Sequence, residues 1–302
     1  MNGKLYFHLC SDGRDSRNFI TCDKDYITAI NIMAVAAANT DVSVVSFSIQ
    51  DTHYHILLYG ERPECARFKE LFEKSYLHYV LSARKDTDSA VPDGELYTIG
   101  DDYDYLRNVA AYTIIQPTKD GKRVMPFDYR WGSGSLYFRS SCPVHLWSFS
   151  PTGEFLPEVS FGNLAVTRKR AILHSRSLSI PDEWRICGDI ILPQNYVDVA
   201  RFENIFQTHN CYRVFLSGSK RKDEEVMMRI ADQRGIVLED SEARQNCAKA
   251  CIELFGIRNQ RLLEPKQRLM LAQYLRRKYR ISFRQLSALL RLPENELRRF
   301  VP

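Results

Sequence analysis

The sequence lacks the features that mark secreted, membrane and zinc-finger proteins. No run approaches the ~20 consecutive apolar residues that span a bilayer, and residues 1–8 contain no long apolar segment typical of a secretion signal. The eight cysteines are scattered, with no CxxC pair and no Cys/His cluster at zinc-finger spacing. We therefore expect a cytoplasmic protein with reduced thiols and no membrane contact.

The basic charge of the chain is concentrated at one end. Residues 251–302 hold 12 Lys or Arg against 4 Asp or Glu, whereas residues 1–250 hold 30 against 33. A compact module with a net charge of +8 is typical of nucleic-acid binding. The alternative is a solvated helical surface that happens to be rich in arginine.

The length of 302 residues exceeds the ~100–200 of one domain, so we expect more than one folded unit. Residues 1–150 alternate between strand-like and helix-like runs, which predicts an α+β fold with a ferredoxin-like antiparallel sheet and helices on one sheet face. The predicted strands are 5–9, 42–49, 54–59 and 95–99, and the predicted helices are 26–38, 62–84 and 102–116, the last stopped by Pro117.

Two further segments follow this first domain. Residues 151–241 form a predicted connecting α/β segment of unknown role, with strands at 187–192 and 212–216 and helices at 197–206 and 222–233. Residues 242–302 are predicted to be helical to their end. The series of a helix at 266–280, a helix opened by the capping-box pattern of Ser282 and Gln285, and a short helix restarted by Pro293 is typical of a helix-turn-helix.

In such a helix-turn-helix, four side chains are expected to contact DNA. The helix 294–301 would occupy the recognition position, with Asn295, Arg298 and Arg299 reaching base edges or phosphates and Arg284 placed for the backbone. This module would contact duplex DNA. The alternative is three-helix packing without any DNA contact.

Two pairs of residues have a spacing that suggests chemistry. His53 and His55 flank Tyr54, and residues two apart on a strand point to the same face, so both imidazoles could reach one divalent ion. Tyr112 and Gln116 lie at i and i+4, hence on one helix face, where an amide ligand and a nucleophilic phenol could address one phosphate. Exposed strand histidines and a core tyrosine are the structural alternatives.

Three segments together resemble the single-tyrosine HUH transposases, including the REP-associated tyrosine transposases. Residues 50–58 (QDTHYHILL) resemble the His-hydrophobic-His strand of that family. Residues 102–121 are similar to its catalytic helix, with a Tyr, then Asn or Gln four residues later, then Pro. Residues 129–133 (YRWGS) are similar to the Trp-Ser block that follows. The resemblance covers residues 1–140, and the order and spacing of all three segments agree.

The resemblance implies a ferredoxin-like enzyme that cuts single-stranded DNA, often beside a hairpin, and leaves a 5′-phosphotyrosine and a free 3′-OH. It implies that His53, His55 and Gln116 bind Mg²⁺ or Mn²⁺ and that Tyr112 is the nucleophile. In the family the tyrosine helix completes the site of its own subunit or of a partner. The resemblance is therefore compatible with either a monomer or a homodimer.

Two departures from the family pattern concern residues expected to bind DNA near the site. Thr52 stands where the family commonly has Asn, and residues 97–100 lack the basic residue that the family tends to carry. One alternative is a non-catalytic DNA-binding regulator derived from a transposase. Another is a phosphoesterase that uses water and does not need Tyr112. The joint presence of two histidines, a tyrosine and a glutamine favours the enzyme.

Overall fold

The computed structural model describes residues 3–13, 18–87, 89, 91–100, 102–139, 146–150, 152–174, 180–217, 220–235 and 238–301. The chain divides into two compact units, residues 1–223 and 224–302. No helix in the described ranges is long and apolar enough to cross a membrane. The seven cysteines within these ranges form no disulfide with one another.

The first unit is built on a four-stranded antiparallel sheet in the order β2-β3-β1-β4. Its elements are β1 (Leu5–Ser11), α1 (Asp23–Ala38), β2 (Val42–Ile49), β3 (Tyr54–Gly60), α2 (Arg62–Tyr79), a π-helical turn (Val80–Arg84) and β4 (Gly94–Thr98). The β-α-β-β-α-β order with these neighbours is the ferredoxin-like arrangement. The predicted α+β class and antiparallel sheet are therefore confirmed.

Different helices pack on the two faces of the sheet. Tyr54 points to the face covered by α2, where its ring packs on Phe72. The opposite face is covered by α3 (Tyr103–Lys119), whose Tyr112 ring lies 5.4 Å from that of His55. The expectation of helices on one face alone is thus incomplete, because a third helix closes the second face.

Helix α3 continues through Pro117 to Lys119, so the prediction that Pro117 stops it is wrong. A proline in a helix removes only its own backbone donor, here the one that would bond the Thr113 carbonyl. The chain beyond it still closes the helix, because the Asp120 N–H donates to the Gln116 carbonyl at 3.0 Å. The start of α3 is capped by Asp102, whose side chain accepts from the Tyr105 N–H.

The outer edge of β2 is covered by two later segments. The Ile49 N–H donates to the Trp131 carbonyl at 3.0 Å, and the Asp198 N–H donates to the Val44 carbonyl at 2.8 Å. The Tyr129 hydroxyl adds a bond to the Ile49 carbonyl. An edge strand paired in this way offers no open ladder to other chains.

Later described residues of the first unit add a small sheet and further α-helices. They are β5 (Glu158–Ser160), α4 (Val166–Leu173), β6 (Arg185–Cys187), β7 (Ile190–Ile191), α5 (Val199–Phe206), α6 (His209–Leu216) and α7 (Lys220–Arg234), the last of which spans the boundary between the units. The predicted strand 212–216 is wrong, because these residues lie in α6. The Thr208 side chain caps α6 by accepting from the Cys211 N–H, and the Tyr212 ring packs on Phe206.

The second unit contains α8 (Asp240–Phe255), α9 (Pro265–Tyr279), α10 (Phe283–Leu290) and α11 (Glu294–Phe300). Its apolar core includes Cys247, Cys251, Leu271, Leu275, Leu286, Leu290 and Leu297. The Ser282 side chain caps α10 by accepting from the Gln285 N–H. The Gln285 side chain does not complete the capping box, because its amide pairs with the backbone N–H and carbonyl of Leu238.

Phe202 tests whether α5 and α6 stabilise the first unit. Its buried ring stacks on Tyr137, with the ring centroids 3.6 Å apart, and also contacts Phe206 and Tyr212. We expect Phe202→Ala to lower the free energy of unfolding by about 3–5 kcal/mol, measured by urea denaturation, because it leaves a cavity. Val214→Ala on the exposed side of α6 is the matched control. Equal, small effects of both changes would contradict the packing described.

Candidate functional site

Three rings meet where α3 covers the sheet. They belong to His8 on β1, His55 on β3 and Tyr112 on α3, and all three residues are buried. The Tyr112 ring centroid lies 5.4 Å from that of His55 and 6.1 Å from that of His8. The pairing register places Cys10 opposite His55, so His8 and Cys10 share the face of His55.

His53 joins this group from just before β3. Its ring lies edge-on to His55, with the ring centroids 5.0 Å apart. His53 Nδ1 is 3.1 Å from the Thr52 hydroxyl oxygen, and His53 Nε2 is 3.8 Å from an oxygen of Asp120, which follows α3. The structure therefore places the two histidines side by side.

Gln116 lies one helical turn beyond Tyr112 and is buried with it. Its Nε2 donates to the Tyr112 backbone carbonyl at 3.0 Å. A metal-ligating oxygen on this side chain would be Oε1, because the amide nitrogen is a donor. The metal-binding role of Gln116 stays a prediction.

Burial keeps the three imidazoles uncharged. It lowers the pKa of His8 to about 3 and holds the pKa of His55 well below its usual value. Burial also lowers the pKa of His53, although the Asp120 carboxylate opposes the effect. At neutral pH all three rings therefore carry a nitrogen lone pair, which is the form that binds metal ions.

Tyr112 is buried in a setting that keeps its phenol protonated. Burial raises the pKa of Tyr112 to about 12, and a side-chain hydrogen bond with Gln116 partly offsets the rise. The Lys119 ammonium lies 3.8 Å from the centroid of the Tyr112 ring and forms an ion pair with Asp223 at 2.7 Å. Attack by this phenol therefore requires loss of its proton, which a nearby cation favours.

His8 and Cys10 were not among the site residues expected from the sequence. Among the described residues, His8, Cys10 and His55 form a group whose ligand atoms all lie within 4.8 Å of one another. His8 Nε2 is 3.1 Å from His55 Nδ1, although the residues are 47 positions apart in sequence. A signal was present, because two metal-ligating residue types stand two apart in the largely apolar strand β1. Lys119 carried no comparable signal.

The residues predicted to contact duplex DNA lie in the second unit. Arg284 is exposed on α10 and Arg299 is exposed on α11, with its guanidinium 5.2 Å from the Phe300 ring centroid. The side chains of Asn295 and Arg298 lie outside the described part of the structure. The three helices α9, α10 and α11 follow one another as predicted, and their role as a helix-turn-helix stays a prediction.

Comparisons with known proteins give one remote structural likeness. No family model matches the chain, and no curated protein matches it. A solved structure of a REP-associated tyrosine transposase bound to a REP hairpin is similar to 43% of this chain and to 76% of its own length. The identity is 16% and the TM-score is 0.32. A likeness at this level establishes no function.

Proposed function

We propose that the protein is a metal-dependent single-stranded DNA endonuclease and strand transferase whose nucleophile is Tyr112. The observation that carries this proposal is the buried Tyr112 ring against His55, which in turn contacts His53. A tyrosine hydroxyl next to a divalent-ion site suits phosphoryl transfer. A regulator that only binds DNA would have no chemical use for this arrangement.

The ion-binding residues would be His53, His55 and Gln116, which offer two neutral nitrogens and an amide oxygen. Their fit to an ion is supported by the pKa shifts that keep both imidazoles uncharged. The Thr52 hydroxyl oxygen can accept a hydrogen bond from the His53 Nδ1–H, which leaves Nε2 for the ion. A bound Mg²⁺ or Mn²⁺ would supply Lewis-acid polarisation of the scissile phosphate.

The reaction forms one bond and breaks another. The Tyr112 hydroxyl oxygen bonds to phosphorus, the bond from phosphorus to O3′ breaks, and the DNA end remains on the protein as a 5′-phosphotyrosine. The phenol loses one proton and O3′ gains one, so the product carries a free 3′-OH. The Lys119 ammonium beside the ring favours the developing phenolate. Because a covalent bond is retained, attack by a 3′-OH can rejoin DNA.

The substrate that we propose is single-stranded or hairpin DNA. A phosphate must reach a tyrosine that is 8% exposed, and a flexible single strand enters such a site more readily than a duplex does. Tyr112 packs on His55 of its own chain, which supports cleavage within one subunit. The basic second unit would add contacts to adjacent duplex DNA.

The nucleophile can be tested by removing one oxygen. We expect Tyr112→Phe to abolish the covalent adduct with a labelled single-stranded hairpin, detected on denaturing gels, while DNA binding changes little. Tyr103→Phe, on the same helix but 44% exposed, should keep the adduct. An adduct that survives in Tyr112→Phe would refute the proposal. Cutting without any adduct would indicate the phosphoesterase that uses water.

The metal ligands can be tested with the same hairpin. We expect His53→Ala and His55→Ala to slow Mn²⁺-dependent cleavage by at least ~100-fold, since even outer partners of ligands cost 10–100-fold. Gln116→Ala should be milder, because an amide is the weakest ligand of the three. His78→Ala on the exposed side of α2 is the control. Undiminished cleavage after treatment with a chelator would show that no ion is needed.

The DNA-binding role of the second unit can be tested through salt. Each phosphate contact steepens the log–log salt dependence of binding by about one unit. We therefore expect Arg298→Ala with Arg299→Ala to flatten the slope by up to ~2 in titrations with duplex DNA. The matched double change, Arg168→Ala with Arg170→Ala on exposed positions of α4, should leave the slope unchanged. An unaltered slope in the first pair would exclude these arginines from the interface.

A further inference from the structure

His8 and Cys10 form a donor pair that the proposed reaction does not use. They stand on β1 beside His55 of β3, and the ligand atoms of all three lie within 4.8 Å of one another. The three residues are 0%, 7% and 5% exposed. His8 Nδ1 is buried without a hydrogen-bond partner, which is a cost that an apolar side chain at this place would avoid.

The chemistry of these donors differs from that of the site proposed above. Both sets contain two imidazoles, but here the thiolate of Cys10 stands in place of the amide oxygen of Gln116, and two imidazoles with a thiolate are ligands that Zn²⁺ prefers. On one tetrahedral Zn²⁺ the ligand atoms lie ~3.3–3.6 Å apart, given the usual bond lengths. His8 Nε2 and His55 Nδ1 are already 3.1 Å apart. Small side-chain rotations therefore suffice to close the group around an ion.

We propose that His8, Cys10 and His55 bind Zn²⁺ and that this ion inhibits the enzyme by taking His55 from the Mg²⁺ or Mn²⁺ site. Binding releases the Cys10 thiol proton to solvent, and three protein ligands leave a fourth position for water. The inhibitory consequence rests on the proposed function, whereas zinc binding itself does not.

The competition follows from the single lone pair of a neutral imidazole. A neutral histidine carries one proton, so only one of its two ring nitrogens can bind an ion. His55 Nδ1 faces His8, and the ion needed for cleavage would have to use Nε2. With Nε2 bound, the His55 Nδ1–H donates a hydrogen bond to His8 Nε2, which then orients the ligand. With Zn²⁺ on Nδ1, the proton is on Nε2, and the two ions exclude each other.

Zinc binding can be tested on the full chain with Co²⁺ as a spectroscopic probe. We expect one Co²⁺ per chain with a thiolate-to-cobalt charge-transfer band that Zn²⁺ abolishes. Cys10→Ser and, independently, His8→Gln should lose this band, while Cys65→Ser, another buried cysteine, should keep it. The absence of the band from the native chain, or its survival in Cys10→Ser, would overturn the site.

Inhibition is measured as the zinc concentration that halves Mn²⁺-dependent adduct formation. We expect this concentration to rise at least ~10-fold in Cys10→Ser and in His8→Gln, each compared with its own rate without zinc. Equal inhibition of the native chain and both variants would mean that zinc enters the other site, and would overturn the competition.

The two proposals can fail separately. In Tyr112→Phe bound to the hairpin, Zn²⁺ should release bound Mn²⁺, seen as a rise in the electron paramagnetic resonance signal of free Mn²⁺. This release needs no catalysis and should be lost when Tyr112→Phe is combined with Cys10→Ser, so it tests the competition even if the native chain forms no adduct, a result that would refute the proposed function alone. Mn²⁺ that stays bound at saturating Zn²⁺ would refute the competition.

Discussion

The meeting of His8, Cys10 and His55 depends on the antiparallel register between β1 and β3. This register sets Cys10 opposite His55 and so places His8 on the same face. Since side chains alternate along a strand, a slip of one residue would turn the β1 side chains to the other face and separate them from His55. The register is held by the apolar face beneath, where Phe7, Leu9 and Ile56 are buried almost completely. Packing on one face therefore determines which donors meet on the other.

Burial under α3 then sets the protonation of these groups. It removes the charge from His8, His53 and His55 and keeps the proton on Tyr112, so the resting site holds neither a strong cation nor a strong nucleophile. Lys119 is the exception, a cation over the Tyr112 ring that is paired with Asp223. On the proposed function, such a site becomes reactive only when a divalent ion and a phosphate arrive together, which protects DNA from unwanted cleavage.

Local patterns predicted the parts of the fold that local interactions determine. The strands β2 and β3 and the i, i+4 relation of Tyr112 and Gln116 follow from periodicity alone. The extension of α3 past Pro117 was missed because the bond that closes the helix, from the Asp120 N–H to the Gln116 carbonyl, lies beyond the proline. Residues 212–216 were misread as a strand, because the Thr208 cap and the Phe206 contact that favour α6 arise outside that run. His8 was missed because strand pairing, which no short window contains, brings it to His55.

The two proposed ion sites differ in what the protein alone can supply. The set of His53, His55 and Gln116 brings no negative charge, so a hard cation gains most of its binding energy from the DNA phosphate. The set of His8, Cys10 and His55 brings a thiolate and needs no substrate. Because both sets need the one lone pair of His55, DNA and Zn²⁺ must oppose each other, and by linkage each weakens the binding of the other by the same factor. A single strand entering the site would thus help to expel the inhibitor as it delivers the phosphate.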